Sequence, residues 1–217
     1  MPTMVQRAAP AVEFLDSTQA TGVDPSVTKP TGVASGDYVI IVAAASNMDI
    51  NGVSGGTTWS KLQDGTIASG SEPPQYCDVW GKVAGGSEPS TYSVDFAGAA
   101  NGQVACLAYR NVGTVTTQAS EGDNIGTGTH PASFDTSIDP IADGGFGIAV
   151  YWLNRIGGSP MTPTDPSGMT QLESVTARAD WLLRVLHEAG GGSLGTKNLT
   201  TTETDVVHVD FALKVEP

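Results

Sequence analysis

The sequence predicts an all-β protein, an antiparallel sandwich of two sheets with a jelly-roll-like layout and an internal pseudo-repeat. Three observations predict this fold. Strand-like segments recur along the 217 residues, turn signals separate them at short intervals, and the two halves of the chain follow one pattern. The 27 glycines and the charged fraction of only 15% also favour short strands and tight turns over long helices.

The last strand-like segment alternates most clearly. One face of residues 206–215 carries apolar side chains and the other face carries polar ones, namely Val207, Val209, Phe211, Leu213 and Val215 against His208, Asp210 and Lys214. Residues 76–83 alternate in the same way, with Cys77, Val79 and Val83 opposite Asp78 and Lys82. Residues 38–45 and 146–153 are continuous apolar runs, which are typical of strands covered on both faces.

Turn-forming pairs separate these segments along the whole chain. They include Asn51-Gly52, Gly55-Gly56, Pro73-Pro74, Gly85-Gly86, Asn101-Gly102, Gly144-Gly145 and Gly157-Gly158. Turn signals at such short spacing are typical of a β-sandwich or a related all-β fold.

An internal repeat relates the two halves at an offset of 105–110 residues. Residues 35–42 match 143–150, 58–64 match 168–174, 79–86 match 184–191, and 104–108 match 209–213. Each half on its own would leave an apolar sheet face in water, so the repeat predicts two sheets packed face to face.

Residues 177–189 present a local conflict. They are rich in helix formers, and Leu172, Leu183 and Leu186 belong to a set at helical spacing. The repeat matches this segment to the strand-like residues 76–83, so we predict a strand at 181–188 with Trp181, Leu183 and Val185 facing inward. A helix is the alternative that local propensity favours.

The chain is predicted to form one domain over residues 11–217. Its pseudo-repeat halves span 11–112 and 134–217, and the Thr-, Ser- and Gly-rich residues 113–133 are interpreted as the connector. Residues 1–10 are predicted to be an extended arm that reaches a neighbouring molecule, because Pro2 and Pro10 disfavour a helix there. A frayed terminus is the alternative, and the arm hypothesis extends as far as residue 12.

Charge and targeting signals narrow the function. Ten Lys and Arg against 23 Asp and Glu give a net charge of −13, which disfavours nucleic acid and anionic membranes as partners. The first ten residues lack the apolar stretch of a secretory signal, so we expect synthesis in a cytoplasm. Cys77 and Cys106 are therefore interpreted as free, buried thiols.

Motifs for nucleophilic and metal chemistry are weak. Gly-x-Ser-x-Gly occurs around Ser54 and Ser193, but neither copy precedes a helical pattern, and both serines are interpreted as turn residues. His130 is placed in a loop, and His187 and His208 on strands, without zinc-ligand spacing. No phosphate-binding glycine motif occurs, and we predict no catalytic residue, cofactor or metal.

Acidic loops and aromatic residues suggest two further hypotheses, a calcium site and a sugar-binding platform. Asp49 and Asn51, and the stretch Glu121, Asp123 and Asn124, offer oxygen ligands for calcium, although turn formation explains both stretches. A sugar platform would need exposed aromatics, and strand alternation instead favours burial of the available set, which is Trp59, Trp80, Tyr92, Tyr109, Tyr151, Trp152 and Trp181.

Three segments carry a resemblance to a known family. Residues 30–37 (Pro-Thr-Gly-Val-Ala-Ser-Gly-Asp) lead into an apolar strand, a Trp59-x-x-Leu62 step follows, and residues 107–112 (Leu-Ala-Tyr-Arg-Asn-Val) close the first half. With this layout the chain resembles a β-sandwich module of tailed bacteriophage virions, found among minor tail and capsid-decoration proteins of phages that infect actinobacteria. The resemblance covers residues 10–217. Related modules have Gly where this chain has Asn111, and Asn tolerates the same left-handed turn.

The resemblance implies a structural role and no catalytic residues. We therefore expect a non-enzymatic virion protein that docks on other tail or capsid proteins, forms a homo-oligomer and is made in the host cytoplasm. The alternative is a carbohydrate-binding sandwich that contacts a host-surface glycan during adsorption.

Overall fold

The computed structural model describes residues 9–67, 73–98, 101–119, 124–125, 129–133, 138–203 and 205–217. About 60% of the described residues are strand, and the sheets are antiparallel and packed on one another. The prediction of an all-β antiparallel sandwich is therefore confirmed. Within these ranges no helix has the length and apolar character needed to cross a membrane.

The first half forms one large sheet and one small sheet. The large sheet, called the first sheet, has the strand order β1-β9-β3-β7-β5, with β6 also paired to β7. Its strands are β1 (Glu13–Gly22), β3 (Tyr38–Ser46), β5 (Ser60–Gln63), β6 (Thr66–Ile67), β7 (Gln75–Val83) and β9 (Gly102–Arg110). The first outer sheet has the order β2-β8-β4 and contains β2 (Ser26–Thr28), β4 (Ile50–Ser54) and β8 (Thr91–Phe96).

The second half repeats this arrangement. The second sheet has the order β10-β17-β13-β15-β14, with β11 also paired to β17. Its strands are β10 (Thr114–Ala119), β11 (Asn124–Ile125), β13 (Phe146–Arg155), β14 (Thr170–Arg178), β15 (Trp181–Ala189) and β17 (Val206–Glu216). The second outer sheet pairs β12 (Thr129–Ser133) with β16 (Thr196–Thr200).

Strand by strand, the two large sheets have the same topology, as the repeat predicts. The pairing registers give the equivalences, which are 108 residues for β3 with β13 and 106 for β7 with β15 and β9 with β17. The sequence matches of 79–86 with 184–191 and of 104–108 with 209–213 are therefore each wrong by one residue. Val79 corresponds to Val185, and Val104 corresponds to Asp210. Loop lengths differ between the halves, and a one-residue slip in a strand exchanges its inner and outer faces.

The expected connector differs from the structure. Residues 113–133 supply β10, β11 and β12, so the second half already begins at Thr114. Thr-rich segments form edge strands readily because β-branched side chains suit a half-buried pleat. At the other boundary Val12 is 6% exposed and its N–H donates to the Gly144 carbonyl, so any arm ends before Val12. Residues 1–8 lie outside the described part of the chain.

The main core lies between the two large sheets. It takes every second residue from the central strands, including Ile40, Val42, Val150, Trp152 and Phe211, all of them at most 1% exposed. The alternation predicted for residues 206–215 is confirmed from Val209 to Val215, which face this core. Residues 177–189, where local propensity favours a helix, form the end of β14 and the whole of β15. Trp181, Leu183 and Val185 face inward as predicted.

Each half also covers its own outer sheet face. Val39, Ile41 and Val104 on the outside of the first sheet pack against Tyr92 and Phe96 of β8. Ala149, Leu153 and Leu186 on the outside of the second sheet pack with Ile141 and with Leu199 of β16. The sandwich therefore has four β layers, and this double covering explains why β3 and β13 are apolar on both faces.

Equivalent hydrogen bonds join the two large sheets at opposite edges. The Ser17 hydroxyl of β1 donates to the Leu172 carbonyl at 3.4 Å, and the Thr117 hydroxyl of β10 donates to the Leu62 carbonyl at 2.9 Å. Leu62 and Leu172 are the extra residues of β-bulges at the same place in β5 and β14. The halves therefore associate as a pseudo-twofold pair within one chain.

Candidate functional site

The two most distinctive segments of the resemblance meet in space. The guanidinium of Arg110, at the end of β9, donates from Nε to Asp37 Oδ1 at 3.0 Å and from Nη2 to Asp37 Oδ2 at 2.9 Å. Asp37 is 3% exposed, and its Oδ2 also accepts the Ala34 N–H at 2.8 Å. Hydrogen bonding to Asp37 raises the pKa of Arg110. These residues hold the turn before β3 against the end of β9.

Asn111 completes this contact. Its φ is 61°, a left-handed conformation that Asn adopts more readily than most residues. Its side-chain amide donates to the Ala11 carbonyl at 3.0 Å. The expectation of a left-handed residue here is confirmed, and its role is to fasten the start of the folded chain.

An ion pair that sequence reasoning missed lies between the first sheet and its outer sheet. Lys82 Nζ on β7 lies 2.5 Å from Glu88 Oε2, and the two side chains are 0% and 3% exposed. The ammonium also donates to the Gly55 carbonyl at 2.8 Å. It lies 4.5 Å from the ring centroid of Trp59 and 4.4 Å from that of Tyr92.

The Glu88 carboxylate is equally well satisfied. It accepts the Gly85 N–H at 2.7 Å and the Tyr92 hydroxyl at 3.0 Å. Burial opposes its ionisation, but the hydrogen bonds from Lys82, Gly85 and Tyr92 outweigh burial and lower the pKa of Glu88. Such a closed pair, with aromatic faces against the cation, stabilises packing and leaves no face for a substrate.

Gly56 makes room for this pair. A Cβ at Gly56 would collide with Lys82 Nζ and with the Glu88 carboxylate, and the residue has a φ of 76°. Gly56 closes the first Gly-x-Ser-x-Gly motif, so that glycine serves packing and the turn. The sequence contained one indication of this ion pair, which was that Lys82 lies on the opposite face of its strand from Cys77 and Val79.

The two motif serines lie in different surroundings. Ser54 is exposed at the end of β4. The Ser193 hydroxyl contacts Asp139, which also accepts the Leu194 N–H at 2.9 Å. Partial burial opposes ionisation of Asp139, but these hydrogen bonds outweigh it and lower its pKa. Within the described ranges no contact joins either serine to a histidine. Ser193 lies in the loop before β16, but Ser54 is the last residue of β4 and pairs with Ser93, so its interpretation as a turn residue is wrong.

The three histidines belong to three different strands, β12, β15 and β17. The backbone of His130 lies in β12 and not in a loop, because the Thr-rich segment pairs with β16. His187 is buried against Phe14, Tyr109 and Phe146, and burial lowers its pKa to about 4. His208 Nδ1 lies 2.6 Å from Asp210 Oδ2, and burial raises the pKa of Asp210 to about 6.

The acidic stretches considered for calcium are only partly described. Asp49 Oδ1 accepts the Ile50 N–H at 2.8 Å, and the Asn51 amide donates to Asp95 at 3.3 Å. Glu121 and Asp123, and the side chain of Asn124, lie outside the described residues. Within the described ranges, no group of three or more His, Cys, Asp or Glu side chains is placed to hold a metal ion.

The aromatic residues considered for a sugar platform belong to the cores. Tyr92, Tyr109, Tyr151 and Trp152 are 0% exposed, and Trp181 is 7% exposed. Trp59 and Trp80 are half-buried against the core between the first sheet and its outer sheet. The cysteines are also buried and free, with Cys77 facing the main core and Cys106 the outer one.

Two surface depressions flank an ion pair of the second half. One, of about 190 Å³, is lined by Pro166, Ser167 and residues 196–198, and the other, of about 240 Å³, by residues 188–194. Lys197 of the first depression lies 2.5 Å from Glu188 of the second. Both depressions are open and mostly polar.

Comparison with protein-family models, with curated proteins and with solved structures gives no match. The arguments for a function therefore come from the residues and their contacts.

Proposed function

We propose that the chain is a non-enzymatic structural protein of a bacteriophage virion, a minor tail or capsid-decoration component that docks on other virion proteins. The carrying observation is the contact between Asp37 and Arg110. Residues of two of the resembling segments form a bidentate ion pair that joins strand ends, in which the Asp37 carboxylate is buried and the Arg110 side chain is 38% exposed. A motif with this role maintains a fold, as expected if the resemblance reflects a shared structural module.

The packing of the halves supports the same proposal. Two sheets joined by a buried core, with each outer face covered by a further sheet, form a body with little freedom to deform. A particle component needs such rigidity. The net charge of −13 favours partners that present basic surfaces.

Localisation on particles tests this proposal directly. Antibodies raised against the purified chain would be applied to purified particles of the phage that encodes it, with gold detection by electron microscopy. We expect gold at one defined position, on the tail or on the capsid. Unlabelled particles, together with strong signal in the remaining lysate, would contradict the proposal.

A glycan array tests the alternative function. The purified chain is applied with and without calcium, and a Trp59→Phe variant serves as a matched control. If the chain binds one glycan family specifically and the antibodies do not label the particles, the alternative of carbohydrate recognition would be favoured over docking on virion proteins. We expect no specific glycan signal, because the aromatic side chains considered for a platform are engaged in the cores.

A further inference from the structure

A second lysine on the first sheet contacts two carboxylates. Lys61 of β5 donates to Asp64 Oδ2 at 3.2 Å, and its Nζ lies 2.6 Å from Asp78 Oδ2 on the neighbouring strand β7. The ammonium therefore contacts two carboxylates, and its interaction with Asp78 is the shorter of the two.

The surroundings of Asp78 shift its carboxyl group towards the neutral, more electrophilic form. Its side chain is 2% exposed, and burial raises its pKa. The Gly65 N–H donates to the other oxygen, Oδ1, at 3.4 Å, where negative charge develops when the carboxyl carbon is attacked. The Trp80 ring, 5.2 Å from Lys61 Nζ, shields one side of the contact.

We propose that Lys61 and Asp78 condense into an intramolecular amide that covalently joins the edge strand β5 to β7. Asp64 accepts a proton from the Lys61 ammonium, and the Nζ lone pair forms a bond to Asp78 Cγ. Oδ2 receives the proton held by Asp64 and a second proton from the attacking nitrogen, the Cγ–Oδ2 bond breaks, and that oxygen leaves as water. The ammonium and carboxylate become one amide and one water molecule, no redox partner is needed, and Asp64 is regenerated.

Partial burial lowers the pKa of Lys61, but its contacts with Asp78 and Asp64 outweigh burial and raise it. Attack therefore draws on a minor neutral population, and we expect the condensation to be slow. The amide should therefore accumulate over time in the folded protein, and its formation has to be followed as a time course.

Two other lysines of the chain, Lys82 and Lys197, can be compared with Lys61. Lys82 donates a regular hydrogen bond to Glu88 and lies between two ring faces, which stabilise its ammonium. Among the described residues, Lys82 and Lys197 each contact a single carboxylate. Without a second carboxylate to accept the proton, we expect both lysines to remain free amines.

Intact-mass spectrometry of the whole chain, denatured after incubation in the folded state for several days, tests the proposal. We expect a mass lower by one water molecule, and a branched peptide joining Lys61 to Asp78 after proteolysis. Lys61→Arg keeps the positive charge and cannot form the amide, so its mass should match its sequence. Asp64→Asn should form the amide more slowly.

A competing reaction also removes one water. Asp64-Gly65 and Asp143-Gly144 can form succinimides, because the small glycine lets its backbone nitrogen attack the aspartyl side chain. A succinimide gives a linear peptide and persists in Lys61→Arg. A water loss that persists in this variant, or a wild-type mass that never departs from the sequence, would overturn the proposal.

Discussion

The outer faces of the two large sheets carry charged residues at the same positions with opposite signs. On β7 of the first sheet these residues are Asp78 and Lys82. The equivalent positions on β15 of the second sheet hold Arg184 and Glu188. Lys82 pairs with Glu88 from the following loop, whereas Glu188 pairs with Lys197 of β16.

This comparison shows that the architecture requires a charge at these positions to be paired but does not determine its sign. A strand between two layers places its outward side chains under a cover, where an unpaired charge is costly. The position therefore requires a partner of opposite sign, but either sign satisfies it. In the two halves the equivalent positions are both paired, but the charges are exchanged and the partners come from different elements.

The turn before the central strand of each sheet follows the same rule. The Ala34 N–H donates to the Asp37 carboxylate, and the equivalent Ala142 N–H donates to the Glu216 carboxylate at 2.9 Å. Asp37 stands just before β3, whereas Glu216 comes from the end of β17. The exposed N–H of the turn must be satisfied, and carboxylates from two different strands satisfy it.

The pairs differ most in burial. The side chains of Lys82 and Glu88 are 0% and 3% exposed, whereas those of Lys197 and Glu188 are 13% and 25% exposed. Trp59 and Tyr92 close the first pair, and open depressions flank the second. Equivalent substitutions in the two halves should therefore have unequal effects.

The largest expected effect is that of Lys82→Met. It leaves the Glu88 carboxylate buried without its cation and should lower the free energy of unfolding by about 3–5 kcal/mol. Lys197→Met in the more open pair should cost only about 1 kcal/mol. Urea unfolding monitored by tryptophan fluorescence measures both. Equal losses would show that the first pair is not the more deeply buried one.

The double variant Lys82→Met with Glu88→Gln is the control for this comparison. It removes both charges and keeps a polar group for the Gly85 N–H. We expect it to recover part of the stability that Lys82→Met loses, because the unpaired charge is the main cost. A double variant no more stable than Lys82→Met would assign the loss to packing of the lysine stem.

The next effect concerns the pseudo-twofold hydrogen bonds. Ser17→Ala and Thr117→Val each remove one hydroxyl donor to a bulge carbonyl and should each cost about 1 kcal/mol. Thr117→Ser keeps the donor and is the matched control. Chemical denaturation of the three variants provides the measurement. A loss at one edge only would show that the two edges are not energetically equivalent.

An effect confined to acid pH is expected at His187. Its counterpart in the first half is Gly81, so only the second half has an ionisable group here. Burial lowers the pKa of His187 from 6.5 to about 4. Between these pH values the unfolded chain binds the proton and the folded chain does not, so stability falls as the pH drops.

His187→Phe should therefore flatten the loss of stability between about pH 6.5 and pH 4. Asp210, with its pKa raised to about 6, acts in the opposite direction over much of this range. The difference between wild type and variant isolates His187, and denaturation midpoints across this range measure it. A difference independent of pH would mean that the pKa of His187 is the same in the folded and unfolded states.

The smallest effect on stability is expected from deletion of residues 1–10. Folded contacts begin at Ala11 and Val12 in the described chain, so the melting temperature should hardly change. If these residues act as an arm, the deletion should abolish incorporation into particles, measured by immunoblotting of purified virions. Normal incorporation would reject the arm, and a large drop in melting temperature would place these residues in the fold.

Periodicity identified most of the fold. The alternation in residues 206–215 and the apolar runs at 38–45 and 146–153 predicted β17, β3 and β13. The repeat correctly overruled the helical propensity of residues 177–189, because its equivalent in the first half alternates as a strand. Loops of unequal length shifted the match of Val79 by one residue, and a Thr-rich segment concealed β10 to β12.

The contacts of the site were less predictable. Asp37 and Arg110 were noticed as parts of motifs, but their pairing joins residues far apart in the chain. Lys82 was placed on the polar face of a strand, and nothing local shows that this face is covered. Glu88 lies in a Gly-rich loop where carboxylates are normally exposed.

By itself, the sequence determined the strands, the duplicated order of the two sheets and the surplus of acidic residues. These properties follow from side-chain periodicity, repeat spacing and composition, which are local or additive along the chain. Only the tertiary structure decided that outer sheets cover both outward faces and which charges pair beneath them. Burial and pairing arise where distant segments meet, and the energy of a charge depends on what lies over it.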